Sequence, residues 1–247
     1  DGFMALELEG APVGETYPGY LIDSHAGGLV PAGADPAAHT PEAAVASVMD
    51  QGGQCIKLYY EEALWWPGGA PDFRLPSVAI TRDVVEAAHA ANLPVLLHAT
   101  TPAGHEFALQ SGIDILAHGM WEWTGQSFTD PWPSTRTTAI AREAARSPIA
   151  VQPTIQTIRN TASLFDPRVL EDAGWLDAVP PAYLDYLRGE AQAQRGQFVA
   201  MFGDMIARGN DAADMGAAQS AFLGRYQDLL QAMQAEGAHF LFGSDTA

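Results

Sequence analysis

A single lysine and a single cysteine stand in 247 residues, the other eleven basic side chains all being arginine. One cysteine excludes an internal disulfide framework and a cysteine-rich metal site. That residue, Cys55 between Gln54 and Ile56, reads as a structural thiol on a buried strand. Positive charge is scarce throughout: 12 Lys and Arg against 30 Asp and Glu leave a formal charge of −18. Such a balance disfavours nucleic acid and anionic membrane surfaces as partners and is read as a solvated acidic surface. No apolar run is long enough to span a bilayer, and no signal peptide opens the sequence. No GxGxxG or Walker-type loop follows a strand, which counts against nucleotide binding. GxSxG and HxH are missing too.

What is present is a repeating α/β pattern in a chain that is 47% apolar. Five apolar runs, GQCIKLYY, LPVLLHAT, IDILAHGM, SPIAVQPTI and AHFLFGSD, read as strands, and GYLIDSHAGG as a further strand and loop. Helical patterns separate them. TPEAAVASVMDQGG and TPAGHEFALQSG each open on Thr-Pro, a cap followed by proline in the first turn. TRDVVEAAHAANL is expected to begin at a Thr81 cap, and STRTTAIAREAARS carries another helix. Repeated βα units with short continuous apolar strands imply a parallel sheet covered by helices, open or closed into a (β/α)8 barrel. Residues 155–236 form a long excursion with two expected helices, PPAYLDYLRGEAQAQRGQFVAMFGDMIARG and AADMGAAQSAFLGRYQDLLQAMQAEG. Gly189, Gly196 and Gly203 fall seven apart on the first, which predicts a close helix contact. Both ends read as cut, because DGFMALELEG does not resemble a translation start and FGSDTA stops at a strand end. A longer chain is therefore expected, cytoplasmic by default and exported if a leader precedes Asp1.

In parallel α/β folds the C-terminal strand ends converge on the active face. Lys57, His98, His118 and Asp245 all stand at such ends, inside otherwise apolar runs. A lone buried histidine is usually a satisfied core residue, but four such positions on successive strands are hard to explain as packing. Two histidines and a carboxylate suit Zn²⁺ or a similar ion. A lysine beside that ion is pushed towards the neutral amine, which can add carbon dioxide and become a carbamate able to bridge two metals. Arginine cannot do this, which gives a physical reason for one lysine in an arginine-only chain.

The phrases Ile56-Lys57, LLHA around His98, LAHG around His118, Pro153-Thr154 and FGSD ending at Asp245 resemble the amidohydrolase superfamily of metal-dependent hydrolases, in its imidazolonepropionase-like and prolidase-like branch. The resemblance runs from about Tyr17 to the end, with 41 residues from Lys57 to His98 and 20 from His98 to His118. It implies a TIM-type (β/α)8 barrel forming one domain over 1–247, incomplete here, with the excursion between strands 7 and 8. It makes Lys57 the carboxylated bridging ligand on strand 4, and His98 and His118, on strands 5 and 6, ligands of the second metal. Asp245 on strand 8 would bind the first metal and shuttle a proton, and His118 would help stabilise the oxyanion. The missing HxH is the main departure. LIDSHAGG reads like the strand 1 phrase, yet 32 residues from His25 to Lys57 leave no room for three βα units at roughly 30 residues each. GYLIDSHAGG is accordingly placed on strand 3, with strands 1 and 2 expected upstream.

The implied activity is hydrolysis of an amide or peptide-like C–N bond by a hydroxide shared between two divalent ions, most simply zinc, as in a dipeptidase or carboxypeptidase. Its partners are a small-molecule or short-peptide substrate, with a homo-oligomer left open. A lactonase or phosphotriesterase-type esterase would use the same centre. A mononuclear cyclic-amide hydrolase or deaminase generally lacks the lysine, and a degenerate non-catalytic barrel would follow if HxH is truly absent. Substrate contacts are expected from His25, Tyr59, Trp65, Trp121 and Arg159. Five of the six tryptophans lie in the loops after Lys57 and His118, as a pocket wall or as packing against the excursion. His39, His89 and His239 read as structural or solvated, and His105 as a residue one turn into the helix after His98.

Overall fold

Seven strands form one parallel sheet in this computed structural model, which describes residues 5–8, 19–21, 35–62, 75–121, 134–163, 180–207 and 215–243. The strands are β1 (Ala5–Leu8), β2 (Gly19–Leu21), β3 (Ile56–Tyr59), β4 (Val95–His98), β5 (Ile115–Ala117), β6 (Ala150–Gln152) and β7 (His239–Phe240). Their order in the sheet is β2-β1-β3-β4-β5-β6-β7. Among the described residues β2 and β7 are not paired, so the sheet is α/β and parallel without a closed barrel. Val95, Leu96 and Leu97 are all buried, as a strand covered on both faces requires.

The six strands expected from apolar runs are all present; Ala5–Leu8 is the one not anticipated. Four residues with a single Leu-Glu-Leu alternation are too few for a period of two to stand out. Its position corrects the placement of GYLIDSHAGG beside the Lys57 strand. Gly19–Leu21 pairs with Ala5–Leu8 instead, and it is Ala5 that lies opposite Lys57.

Helices α1 (Pro41–Asp50), α2 (Val78–Ala90), α3 (Pro102–Ser111) and α4 (Thr135–Arg146) follow the sheet in order, each packed against the next. Each N-terminus is closed by a hydroxyl: Thr40 accepts from the Ala43 amide, Ser77 from Ile80, Thr101 from Gly104 and Ser134 from Thr137, at 3.0–3.2 Å. Such caps contribute about 1 kcal/mol apiece. Thr81 is not a cap, because α2 starts earlier at Ser77; the Thr81 side chain is buried and donates back to the Ser77 carbonyl. Cys55 is half-buried and precedes its strand.

Among the described residues beyond β6 lie α5 (Ile155–Ser163), α6 (Pro181–Ala207) and α7 (Met215–Ala235), where the excursion was expected to hold two helices. Phe222, Tyr226, Leu229 and Met233 recur at helical spacing on α7 and are all buried, facing α4 and α5. This helix is therefore part of the core. Two of the α6 glycines, Gly189 and Gly196, do not mark a close contact and face open space. No described helix is long and apolar enough to cross a membrane.

Register is what brings chemistry together. Tyr59 pairs with His98, His98 with Ala117, and Ala117 with Gln152, forming one row across four strands at their C-terminal ends. Lys57 stands two residues back from that row on the same face as Tyr59. At the opposite end of the sheet Asp114 accepts from the Val95 amide at 2.7 Å and meets His89 at 2.9 Å, a structural tie between α2, β4 and β5.

Candidate metal centre

His98 ends β4 and His118 follows β5 directly, so the strand ends aim both rings at the same mouth. His118 Nε2 lies 3.0 Å from His98 Nδ1, the rings meeting edge to face. Each outer nitrogen is held by an oxygen. His98 Nε2 meets the Glu61 carboxylate at 2.9 Å, and His118 Nδ1 meets the Thr154 hydroxyl at 2.8 Å. The carboxylate only accepts, so His98 carries its proton on Nε2 and, when neutral, keeps a lone pair on Nδ1. His118 then donates from Nε2 to that lone pair.

Burial pushes the His118 imidazole down to about 3, with help from charge on His98, Lys57 and His105. A neutral ring in a dry pocket is the state a metal ligand needs. Thr154 is buried and holds φ +44°, a left-handed backbone that is unusual for a β-branched residue and strained by about 1–3 kcal/mol. That turn follows β6 at Pro153 and delivers the hydroxyl to His118.

Lys57 and Tyr59 flank His98. The Lys57 Nζ lies 5.2 Å from the centre of the Tyr59 ring, and that ring is 5.0 Å from His98. Trp121 stacks on His118 at 4.9 Å with only 15° between the planes. Glu62 accepts from the Thr101 hydroxyl, which also caps α3, so the turn after β3 is tied to the helix after β4. His105 is fully buried on α3, and neither ring nitrogen makes a hydrogen bond. Burial holds its pKa down to about 4, offset in part by the nearby backbone of Ala99 and His118.

Of the residues read as functional, Lys57, His98, His118, Tyr59 and Trp121 come together here. Arg159 is exposed on α5. Asp245, His25 and Trp65 lie outside the described residues. Glu61 was missed by the sequence reading, and so was a role for Thr154 beyond the Pro-Thr phrase. The signal for Glu61 was available: four residues past Lys57, an acid at a strand's C-terminal end faces the same mouth.

The donor set can be tested against a metal. Two nitrogens on a tetrahedral ion with bonds of ~2.0–2.1 Å stand roughly 3.3 Å apart. The inner nitrogens of His98 and His118 need to part by only a few tenths of an ångström. Oxygen partners on both outer nitrogens match the supporting contacts of metal-binding histidines. Among the described residues no three of His, Cys, Asp and Glu converge on one point.

No protein-family model and no curated protein matches the chain. Among solved structures it is similar to a prolidase complexed with N-methylphosphonate-L-proline, at 19% identity and TM-score 0.47 over 83% of this chain. It is similar to the A. niger ochratoxinase at 16% identity and TM-score 0.45 over 87% of the chain. A Xaa-Pro dipeptidase with methionine in its active site gives 15% and 0.44 over 92%. The chain spans only 36% to 47% of the lengths of these three structures. At such scores the likenesses assign neither family, activity nor ligand.

Proposed function

We propose that the protein is a metal-dependent hydrolase of the amidohydrolase type, built on a (β/α)8 barrel and cleaving an amide or peptide-like C–N bond at a two-metal centre. The observation that carries this reading is the His98–His118 pair, with inner nitrogens face to face and outer nitrogens each held by an oxygen. A pair serving only the core would not need an acid and a strained threonine behind it.

His98 Nδ1 and His118 Nε2 would hold one ion, Lys57 as its carbamate would bridge two, and Asp245 would supply the remaining carboxylate. Carbamate formation joins the neutral Lys57 nitrogen to the carbon of carbon dioxide and releases one proton, leaving an anion with two oxygen donors. Bound ions supply Lewis acidity and bring the pKa of water towards ~7. The other tasks fall to the chain. Glu61 fixes the tautomer and angle of His98. Thr154 does the same for His118 by accepting from Nδ1 once the ring proton moves there. The Trp121 ring covers one face of His118 and keeps water from it. Asp245 would take the proton of the attacking water on a carboxylate oxygen and pass it to the leaving nitrogen.

The test is hydrolysis of short N-acyl amino acids and dipeptides by zinc-loaded protein, with matched esters in parallel. The reading expects amide cleavage that a chelator abolishes and added zinc restores. Cleavage of esters alone would contradict the C–N assignment.

A further inference from the structure

Tyr226 belongs to α7, in the segment that the sequence sets apart from the strands bearing chemistry. It is nonetheless fully buried, against residues that neighbour His118 and Thr154. Its hydroxyl donates to the Pro153 carbonyl at 2.8 Å and lies directly against the Gly119 backbone. Pro153 precedes Thr154, and Gly119 follows His118. One hydroxyl thus spans the ends of β5 and β6, a single residue from each side of the Thr154–His118 contact.

The approach is close enough to dictate sequence. A Cβ on Gly119 would lie 1.6 Å from the Tyr226 hydroxyl oxygen and 2.5 Å from Cζ, so no side chain fits there. The glycine of the LAHG phrase is therefore explained by a residue more than a hundred positions later. The Tyr226 ring also meets Trp121 edge-on at 6.4 Å, and Trp121 stacks on His118. Three routes lead from Tyr226 to the same imidazole: through Gly119, through Pro153 and Thr154, and through Trp121.

We infer that Tyr226 is a positioning residue, whose hydroxyl clamps the turns after β5 and β6 so that His118 presents Nε2 towards His98. An ordinary core tyrosine would contribute its ring and satisfy its hydroxyl anywhere at hand. This hydroxyl bonds the Pro153 carbonyl after β6 and packs on Gly119 after β5 too closely for any side chain there. The helix that brings it is consequently part of the centre's frame.

Tyr226→Phe keeps the ring and removes the hydroxyl, with its bond to Pro153 and its contact with Gly119. Phe222→Leu, one turn earlier on the same buried face, loosens α7 without touching the hydroxyl and serves as the control for stability. Two readouts are taken in each variant. One is the ring nitrogen resonances of His118 in metal-free protein, with His89 as internal reference; the other is cobalt(II) affinity. Tyr226→Phe should shift the His118 resonances, leave those of His89 in place, and weaken cobalt binding about ten- to a hundredfold, as loss of a supporting contact does. Phe222→Leu should lower the melting temperature without moving His118. Unchanged His118 resonances, or an unchanged affinity where the parent protein binds cobalt, overturn the assignment. So does outright loss of the fold in Tyr226→Phe, which would make the hydroxyl a requirement of the core. The affinity readout rests on the proposed function and the resonance readout does not. A parent protein that binds no cobalt, while His118 still shifts in Tyr226→Phe, defeats the hydrolase reading and leaves Tyr226 in its role.

Discussion

His98 Nδ1 and His118 Nε2 face one another at 3.0 Å, from the ends of adjacent parallel strands. The relationship follows from register. His98 pairs with Ala117, which places His118 one residue beyond the row and close enough for its ring to turn back. Both rings are held from outside, and the predictions below concern those holds.

Glu61→Gln keeps the size of the side chain and removes its charge. His98 then loses a charged acceptor at Nε2, which lowers its basicity as a ligand. Zinc affinity should fall about 10- to 100-fold, measured by competition with a chelator of known affinity. Thermal stability should change little, since the amide oxygen of glutamine can still accept from His98 Nε2 in this part-buried pair.

Thr154 separates strain from function. Thr154→Gly relieves the φ of +44° and deletes the hydroxyl, so stability should hold or rise while metal affinity drops. Thr154→Val keeps the β-branch and the strain while removing the contact, and should lower both. Denaturant melts and zinc titrations of the two variants distinguish these outcomes.

Much of this was legible in the sequence, for physical reasons. Apolar runs closed by glycine or proline marked β3 to β7, and Thr-Pro marked the starts of α1 and α3. The C-terminal strand rule selected Lys57, His98 and His118 without any structure. Glu61, Thr154 and Tyr226 were not read in these roles, because their meaning depends on contacts across 37, 36 and 73 residues of sequence. Ser77 was passed over in favour of Thr81 because both precede apolar-periodic stretches, and only backbone geometry shows which one is outside the helix. Gly189 and Gly196 misled for the opposite reason, since a seven-residue spacing puts residues on one face without saying whether anything covers it.

Acid should unfold the protein through its buried imidazoles. His105 has its pKa held down to about 4 in the folded chain, against an ordinary 6.5. Between those values the unfolded chain binds the extra proton, so this contribution to stability is complete above pH 6.5 and lost as pH falls through about 4. Its full size is about 3 kcal/mol. Melting temperatures of metal-free protein should fall between pH 7 and pH 4.5, and less steeply in His105→Leu. His118, shifted the same way, adds to the slope.

If Lys57 is the bridging carbamate proposed above, Lys57→Ala should abolish hydrolysis and recover part of it with added short carboxylic acids, which can occupy the vacated space. Steady-state rates against acetate or propionate concentration check this. Full activity without any acid would remove the bridging role.

The most direct measurement is the metal content of the protein expressed in zinc-supplemented medium and dialysed against metal-free buffer, alongside His98→Ala and His118→Ala. The account predicts about two zinc ions per parent chain, as a binuclear hydrolase requires, and fewer in either variant. A folded parent protein that retains no transition metal would contradict it.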